Sequence, residues 1–229
     1  CASSNPRNKR LRCSILMEYA DRVILVDTTP DLRAQALRCD IRNVDAILFT
    51  HGHADHLHGL DDIRCFCFGR DEPIPCYGDA VTLERVYRVF DYAFDSAYAH
   101  ALPNLELFDI EGTLNLFGLE IDPIVVLHGR MPVLAFRAGR FAYVTDCNAI
   151  PPDSMAKLYG LDTLILSALR YRKHPTHFNV DQALAVVEEL KPTRTYLTHI
   201  AHDLDHEFTN AALPDGVELA YDGLVLELH

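Results

Sequence analysis

Between Phe49 and Asp62 the chain reads Phe-Thr-His-Gly-His-Ala-Asp-His-Leu-His-Gly-Leu-Asp-Asp, placing four histidines and an aspartate within the eight residues His51 to His58, directly after an apolar run. That run, Val44 to Thr50, is predicted to be a buried strand, so ligand-type side chains emerge where the strand ends and the chain turns. The imidazoles of His51 and His53 are two positions apart and can close on one metal ion. Asp55 and His56 can hold a second ion beside it, since neutral imidazole nitrogen and carboxylate oxygen are the usual ligands of zinc, iron or manganese. A solvated, histidine-rich loop is the competing reading. Four histidines at these offsets, opening on a buried strand, favour the metal site.

Further along, the same pattern of an apolar strand ending in a ligand-type residue recurs. Leu119 to Leu127 ends at His128, Phe141 to Thr145 ends at Asp146, and Thr193 to Thr198 ends at His199. Taken alone, His128 or Asp146 would more often be a turn residue. Other expected strands are Cys13 to Tyr19 paired with Val23 to Asp27, Ile74 to Tyr77, Leu114 to Phe117, Val133 to Ala138, Asp162 to Ala168 and Val225 to Leu228. Helices are expected from a Thr29 cap with Pro30 at the first position, over Leu57 to Phe66, and over Val81 to Phe94, with Leu83, Val86, Tyr87 and Phe90 as its apolar stripe. Another follows Asn179, where Gln182 completes capping-box spacing. Periodicity alone gives an α/β or α+β class.

At 229 residues the chain is long enough for one sizeable core, and residues 1–229 are read as a single domain. A net charge of -12 repels a phosphate backbone, so broad nucleic-acid binding is disfavoured. No membrane span and no signal segment stand out, which makes cytoplasmic location the expectation, with the seven cysteines as reduced thiols. The chain opens at Cys1 without methionine and looks like the remainder of a longer protein.

The segment His51-Gly52-His53-Ala54-Asp55-His56 resembles the H-x-H-x-D-H signature of the metallo-β-lactamase fold hydrolases. Arg10 to Ser14 and Thr198 to His202 resemble the PhnP-type branch, whose members are similar to phosphoribosyl 1,2-cyclic phosphate phosphodiesterase. The resemblance implies an αββα sandwich of two mixed sheets flanked by helices. It also implies two divalent metal ions, zinc or manganese or iron: His51, His53 and His128 hold one, Asp55, His56 and His199 the other, and Asp146 bridges them. Such a pair lowers the pKa of a shared water and generates the hydroxide nucleophile. Asp55 is thereby part of the catalytic set. His177 resembles the non-ligand histidine that serves such phosphodiesterases as general acid or phosphate donor. Cys1 and His202 resemble two ligands of that branch's structural zinc.

The function implied is that of a binuclear metal-dependent phosphodiesterase acting on a small phosphate ester, such as a cyclic one, through a metal-bridging hydroxide. Arg170, Arg172 and Lys173 are candidate substrate-binding cations, because guanidinium groups pair with oxyanions, and His58 is a candidate partner for a metal-ligand carboxylate. The alternatives are a glyoxalase II-like thioesterase, a lactonase, or a non-hydrolytic relative of the PQQ-biosynthesis B protein. A small-molecule phosphate ester is the expected partner, no membrane is, and a homodimer is compatible with this reading.

Overall fold

The computed structural model describes residues 2–94 and 103–228. It divides into two compact units, the first Arg12–Leu119 and the second Glu120–His229 together with Cys1–Leu11.

In the first unit, β1 (Ile15–Tyr19) and β2 (Arg22–Val26) form the expected antiparallel hairpin. Ala20 and Asp21 at its turn both have left-handed backbones, φ 48 and 60, which is what a two-residue hairpin connection requires. Helix α1 (Leu32–Arg38) starts later than the Thr29 cap predicts. Thr29 Oγ1 accepts from Asp31 N at 3.2 Å, and the Asp31 carboxylate is drawn away to the Arg12 N–H at 2.7 Å. The strand before the histidine motif is short, β3 (Ala46–Leu48), although Val44 to Thr50 is buried throughout.

The helix expected over Leu57 to Phe66 is broken into α2 (Ala54–Leu57), a 3-10 turn at Leu60–Ile63 and α3 (Arg64–Cys67). The cause is Gly59, whose N–H donates to Thr28 O at 2.9 Å and whose position has no room for a Cβ, because one would overlap the Thr29 carbonyl oxygen. β4 (Ile74–Gly78) falls as expected, and α4 (Ala80–Val89) is capped by Asp79, which accepts from Thr82 N at 2.7 Å. A 3-10 turn at Asp91–Phe94 replaces the helix's expected last turn, and Tyr87 is exposed rather than part of the apolar stripe. β5 (Leu105–Asp109) is a further strand, with no counterpart among the expected ones. The sheet order is β1-β2-β3-β4-β5, with β2 to β5 parallel. Its core gathers Leu25, Ile47, Phe49, Leu57, Leu60 and Ile74, each buried side chain contributing about 1.5–3 kcal/mol.

After β6 (Leu114–Leu116) come β7 (Leu119–His128), β8 (Met131–Ala138) and β9 (Phe141–Val144), joined antiparallel from β7 to β9. Helix α5 (Pro152–Ala156) precedes β10 (Thr163–Ser167). α6 (Val180–Leu190) follows and carries the full Asn179/Gln182 capping box, then β11 (Arg194–Thr198), α7 (His206–Asn210) and β12 (Val217–Leu219). The second mixed sheet has the order β12-β11-β10-β9-β8-β7-β6, and the division between the units falls within β7. β9 to β12 run parallel, as buried strands with helical crossovers do. A separate core centres on Val126, Ala135, Val144, Leu164, Leu166 and Leu197. The strand expected at Val225 to Leu228 does not form: Val225 is 84% exposed and Leu228 48%, so apolar alternation there meets no partner strand. Among the described residues no helix is long and apolar enough to cross a membrane.

Candidate functional site

The ligand-type side chains of the first unit stand at the carboxyl ends of the parallel strands β2 and β3. The chain leaves β2 at Asp27, which adopts a left-handed backbone (φ 66) and is fully buried. Its Oδ1 accepts from Thr50 N at 2.8 Å, and its Oδ2 accepts from Thr50 Oγ1 at 2.8 Å and from His56 Nδ1 at 2.6 Å. Because the Thr50 hydroxyl proton goes to Asp27, the His51 Nδ1 that lies 3.0 Å from Thr50 Oγ1 must be the donor in that contact. One carboxylate therefore sets two tautomers, His56 directly and His51 through Thr50, and leaves each ring with its lone pair on Nε2. The His51 Nε2 faces His53 Nδ1 at 2.9 Å. Asp55, at the first turn of α2, is 29% exposed and receives Arg12 Nη1 at 3.5 Å.

Asp27 was not singled out from sequence. The role of orienting a ligand was given to His58, which is exposed and sits edge-on to Phe90 at 6.4 Å between ring centroids. The signal available was an aspartate directly after a buried strand, the same pattern that marks Asp146.

In the second unit His128 ends β7, Asp146 follows β9 and His199 follows β11. The last two again have left-handed backbones, φ 48 and 55. Non-glycine residues in that region cost about 1–3 kcal/mol and persist where surrounding structure over-determines them. His128 Nδ1 donates to Thr176 O at 2.8 Å, which places its lone pair on Nε2. Asp146 Oδ1 accepts from Thr145 Oγ1 at 3.0 Å and lies 2.9 Å from His199 Nε2. His177 joins this group: its ring centroid lies 4.5 Å from that of His128 and 4.9 Å from that of His199, nearly parallel to the latter. Ligand atoms of His128, Asp146 and His177 all lie within 4.8 Å of one another. His174 also packs against His177, with ring centroids 4.9 Å apart.

His177 is 9% exposed, and its Nδ1 is buried with no hydrogen-bond partner among the described residues. Burial pushes its pKa down to about 4, with His199, His128 and His174 lowering it further and Asp146 opposing, so the imidazole is neutral near pH 7. The remaining candidates are dispersed. Arg170 turns its guanidinium onto the carbonyls of Arg172 and Lys173 in its own loop, Arg172 lies 3.7 Å from Asp203, and Lys173 is exposed. His202 is exposed beside Asp203 at 3.2 Å. Cys1 lies outside the described residues, so the pairing expected for a structural zinc falls there too.

Each unit thus offers imidazole nitrogens whose tautomers are fixed from behind, together with carboxylate oxygens. Such outer hydrogen bonds orient ligands for a metal and raise their basicity, and a nitrogen-and-oxygen donor set suits zinc, manganese and iron.

Residues 22–200 match the sequence profile of the Beta-lactamase superfamily domain. The crystal structure of a new diphosphatase from the PhnP family superposes with a TM-score of 0.94 at 43% identity, covering 100% of this chain and 89% of that one. The octanoyltransferase of Porphyromonas gingivalis (strain ATCC BAA-308 / W83) is 32% identical over 229 residues, 98% of this chain and 46% of its own length. Ribonuclease Z of Clostridium kluyveri is 30% identical over 145 residues, 59% of this chain and 46% of its own. The chain spans about half the length of these curated relatives.

Proposed function

Because this chain belongs to the Beta-lactamase superfamily domain family, we propose that it is a metal-dependent hydrolase of phosphoric esters, acting as a phosphodiesterase on a small substrate. Residues 1–229 are read as one hydrolase domain, and the profile match runs through both units. The observation that carries the reading is the Asp27 relay, a fully buried carboxylate that holds His56 and, through Thr50, His51 in the tautomers with the lone pair on Nε2. The residues that would hold two divalent ions are His51, His53, Asp55 and His56 on the first unit and His128, Asp146 and His199 on the second. When bound, such ions acidify solvent water and polarise the ester phosphorus centre.

His177 is the protein's own candidate for the leaving group. Its neutral imidazole donates to a phosphate oxygen; an anionic substrate beside it raises its proton affinity, so that it takes up a proton from solvent and, as the imidazolium, passes that proton to the departing alkoxide and returns to neutral imidazole. The net charge of -12 favours a small phosphate ester over RNA, since like charge repels a long phosphate backbone. The test is turnover of bis(p-nitrophenyl) phosphate by the metal-loaded chain beside a thioester and a lactone. Diester hydrolysis should dominate; thioester or lactone hydrolysis with an inert diester would overturn the assignment.

A further inference from the structure

The loop from Leu169 to Phe178 is tied at both ends. Leu169 N–H donates to Phe178 O at 2.9 Å, Phe178 N–H to Cys147 O at 2.7 Å, and Val180 N–H to Arg170 O at 3.1 Å. Between those ties Thr176 is held from three directions. Its carbonyl accepts from His128 Nδ1 at 2.8 Å, its methyl lies over Gly129, where a Cβ would come within 3.1 Å of Cγ2, and its N–H donates to His174 Nδ1 at 3.3 Å. A backbone N–H can only donate, so His174 Nδ1 carries the lone pair, and the Thr176 hydroxyl, also 3.3 Å away, donates to it as well. Pro175 stiffens the link, since its ring fixes φ and restricts the residue before it. A side-chain acceptor two residues ahead of the N–H it takes is the arrangement that asparagine and aspartate adopt in turns; here an imidazole fills it.

We infer that His174 is a positioning residue, acting through Thr176 on both His128 and His177. The inference rests on the metal-dependent hydrolase reading above, in which His128 is a candidate ligand and His177 the proton donor. His174 Nδ1 fixes the Thr176 N–H, and the Thr176 carbonyl fixes the Nδ1–H of His128. That carbonyl belongs to the same planar peptide unit as the His177 N–H. One acceptor therefore sets the ring of a candidate ligand and the backbone from which His177 starts. The His177 ring in turn meets the ring of His174 at 4.9 Å and that of His128 at 4.5 Å between centroids, so a shift at Thr176 reaches it through packing as well as through the backbone.

The experiment compares His174→Asn, whose side-chain oxygen can take the place of Nδ1, with His174→Gln, whose oxygen lies one bond farther out, near the place of Nε2. Zinc affinity of the full chain is measured by competition with a chromophoric chelator. His174→Asn should hold zinc within about twofold of wild type and His174→Gln should lose about tenfold, the low end for an outer partner of a metal-bound histidine. His174→Gln should also slow a diester with a poor leaving group more than bis(p-nitrophenyl) phosphate, since only the former needs the proton of His177. Equal zinc affinity in the two variants would overturn the inference, and equal slowing of the two esters would overturn its link to His177. Long-range proton–nitrogen NMR correlations of the metal-free wild type give a reading that no variant has to fold for: His174 should carry its proton on Nε2 and His128 on Nδ1, and His174 protonated on Nδ1 sinks the role. Zinc affinity that follows the acceptor, with no diester turnover in any form, keeps the positioning role and removes the phosphodiesterase reading. Diester turnover with equal zinc affinity in both variants does the reverse.

Discussion

The Asp27 carboxylate takes the Nδ1 proton of His56 in a 2.6 Å hydrogen bond, and both side chains are almost wholly buried. Sealed from water, the pair cannot exchange this contact for hydration, so the orientation of His56 is decided by the fold before any metal arrives. Asp27→Asn retains the volume but offers an amide group where two donors point. Metal affinity should fall by about 10–100-fold, the usual range for losing a hydrogen-bond partner of a metal-bound histidine. Competition with a chromophoric chelator measures it. Unchanged affinity would remove Asp27 from the site.

Asp146→Asn tests the other carboxylate without disturbing its backbone, because asparagine tolerates the left-handed region at φ 48. The variant should fold with a melting temperature close to wild type. Its metal content, by elemental analysis, should drop clearly below the wild-type stoichiometry, and diester hydrolysis should drop with it. Full metal content with full activity would exclude Asp146 as a ligand.

His177→Ala should keep its metal, yet slow hydrolysis of esters with poor leaving groups by about 10²–10⁴. For p-nitrophenolate, which departs without a proton, the loss should be much smaller. Equal losses across a leaving-group series would show that His177 binds phosphate and does not deliver a proton.

A pH dependence of stability should trace to His206, which is 1% exposed. Its Nε2 accepts from Arg7 Nη1 at 3.3 Å and from Asn210 Nδ2 at 3.1 Å, with the Arg7 guanidinium also lying 4.3 Å from the Tyr221 ring centre. Burial, then Arg7 and Arg10, lower its pKa from 6.5, against the opposing pull of Asp205 and Glu207. The unfolded chain therefore takes up the proton first as pH falls. Its contribution is favourable to folding above the unfolded value and is lost as pH drops below it. Melting temperature should decline from about pH 7 to about pH 5, and His206→Gln, which keeps an acceptor and cannot titrate, should flatten part of that decline. Superimposable profiles would clear His206 of the effect.

The histidine motif was legible because its residues are neighbours in the chain and a buried strand delivers them. His128, Asp146 and His199 were legible as strand ends, and the α6 capping box was read correctly, since each signal is local. Asp27 was not, because its meaning depends on Thr50 and His56, which reach it only through the pairing of β2 with β3. The break at Gly59 was equally hidden, as it answers to a carbonyl at Thr29 that no helical periodicity reveals. β12 is only three residues long and passed unnoticed, while Val225 to Leu228 has a strand's alternation and lacks a neighbour to pair with.

The left-handed conformations of Asp27, Asp146 and His199 bear on how such a chain can evolve. Glycine would occupy any of these positions with less strain, and from aspartate it is one base change away in the genetic code. At Asp27 that relief is outweighed, because glycine would strand the buried donors of Thr50 and His56. At Asp146, the candidate ligand, relief of backbone strain is what a screen for thermostability alone would reward, so that codon is where the proposed activity would be lost unnoticed.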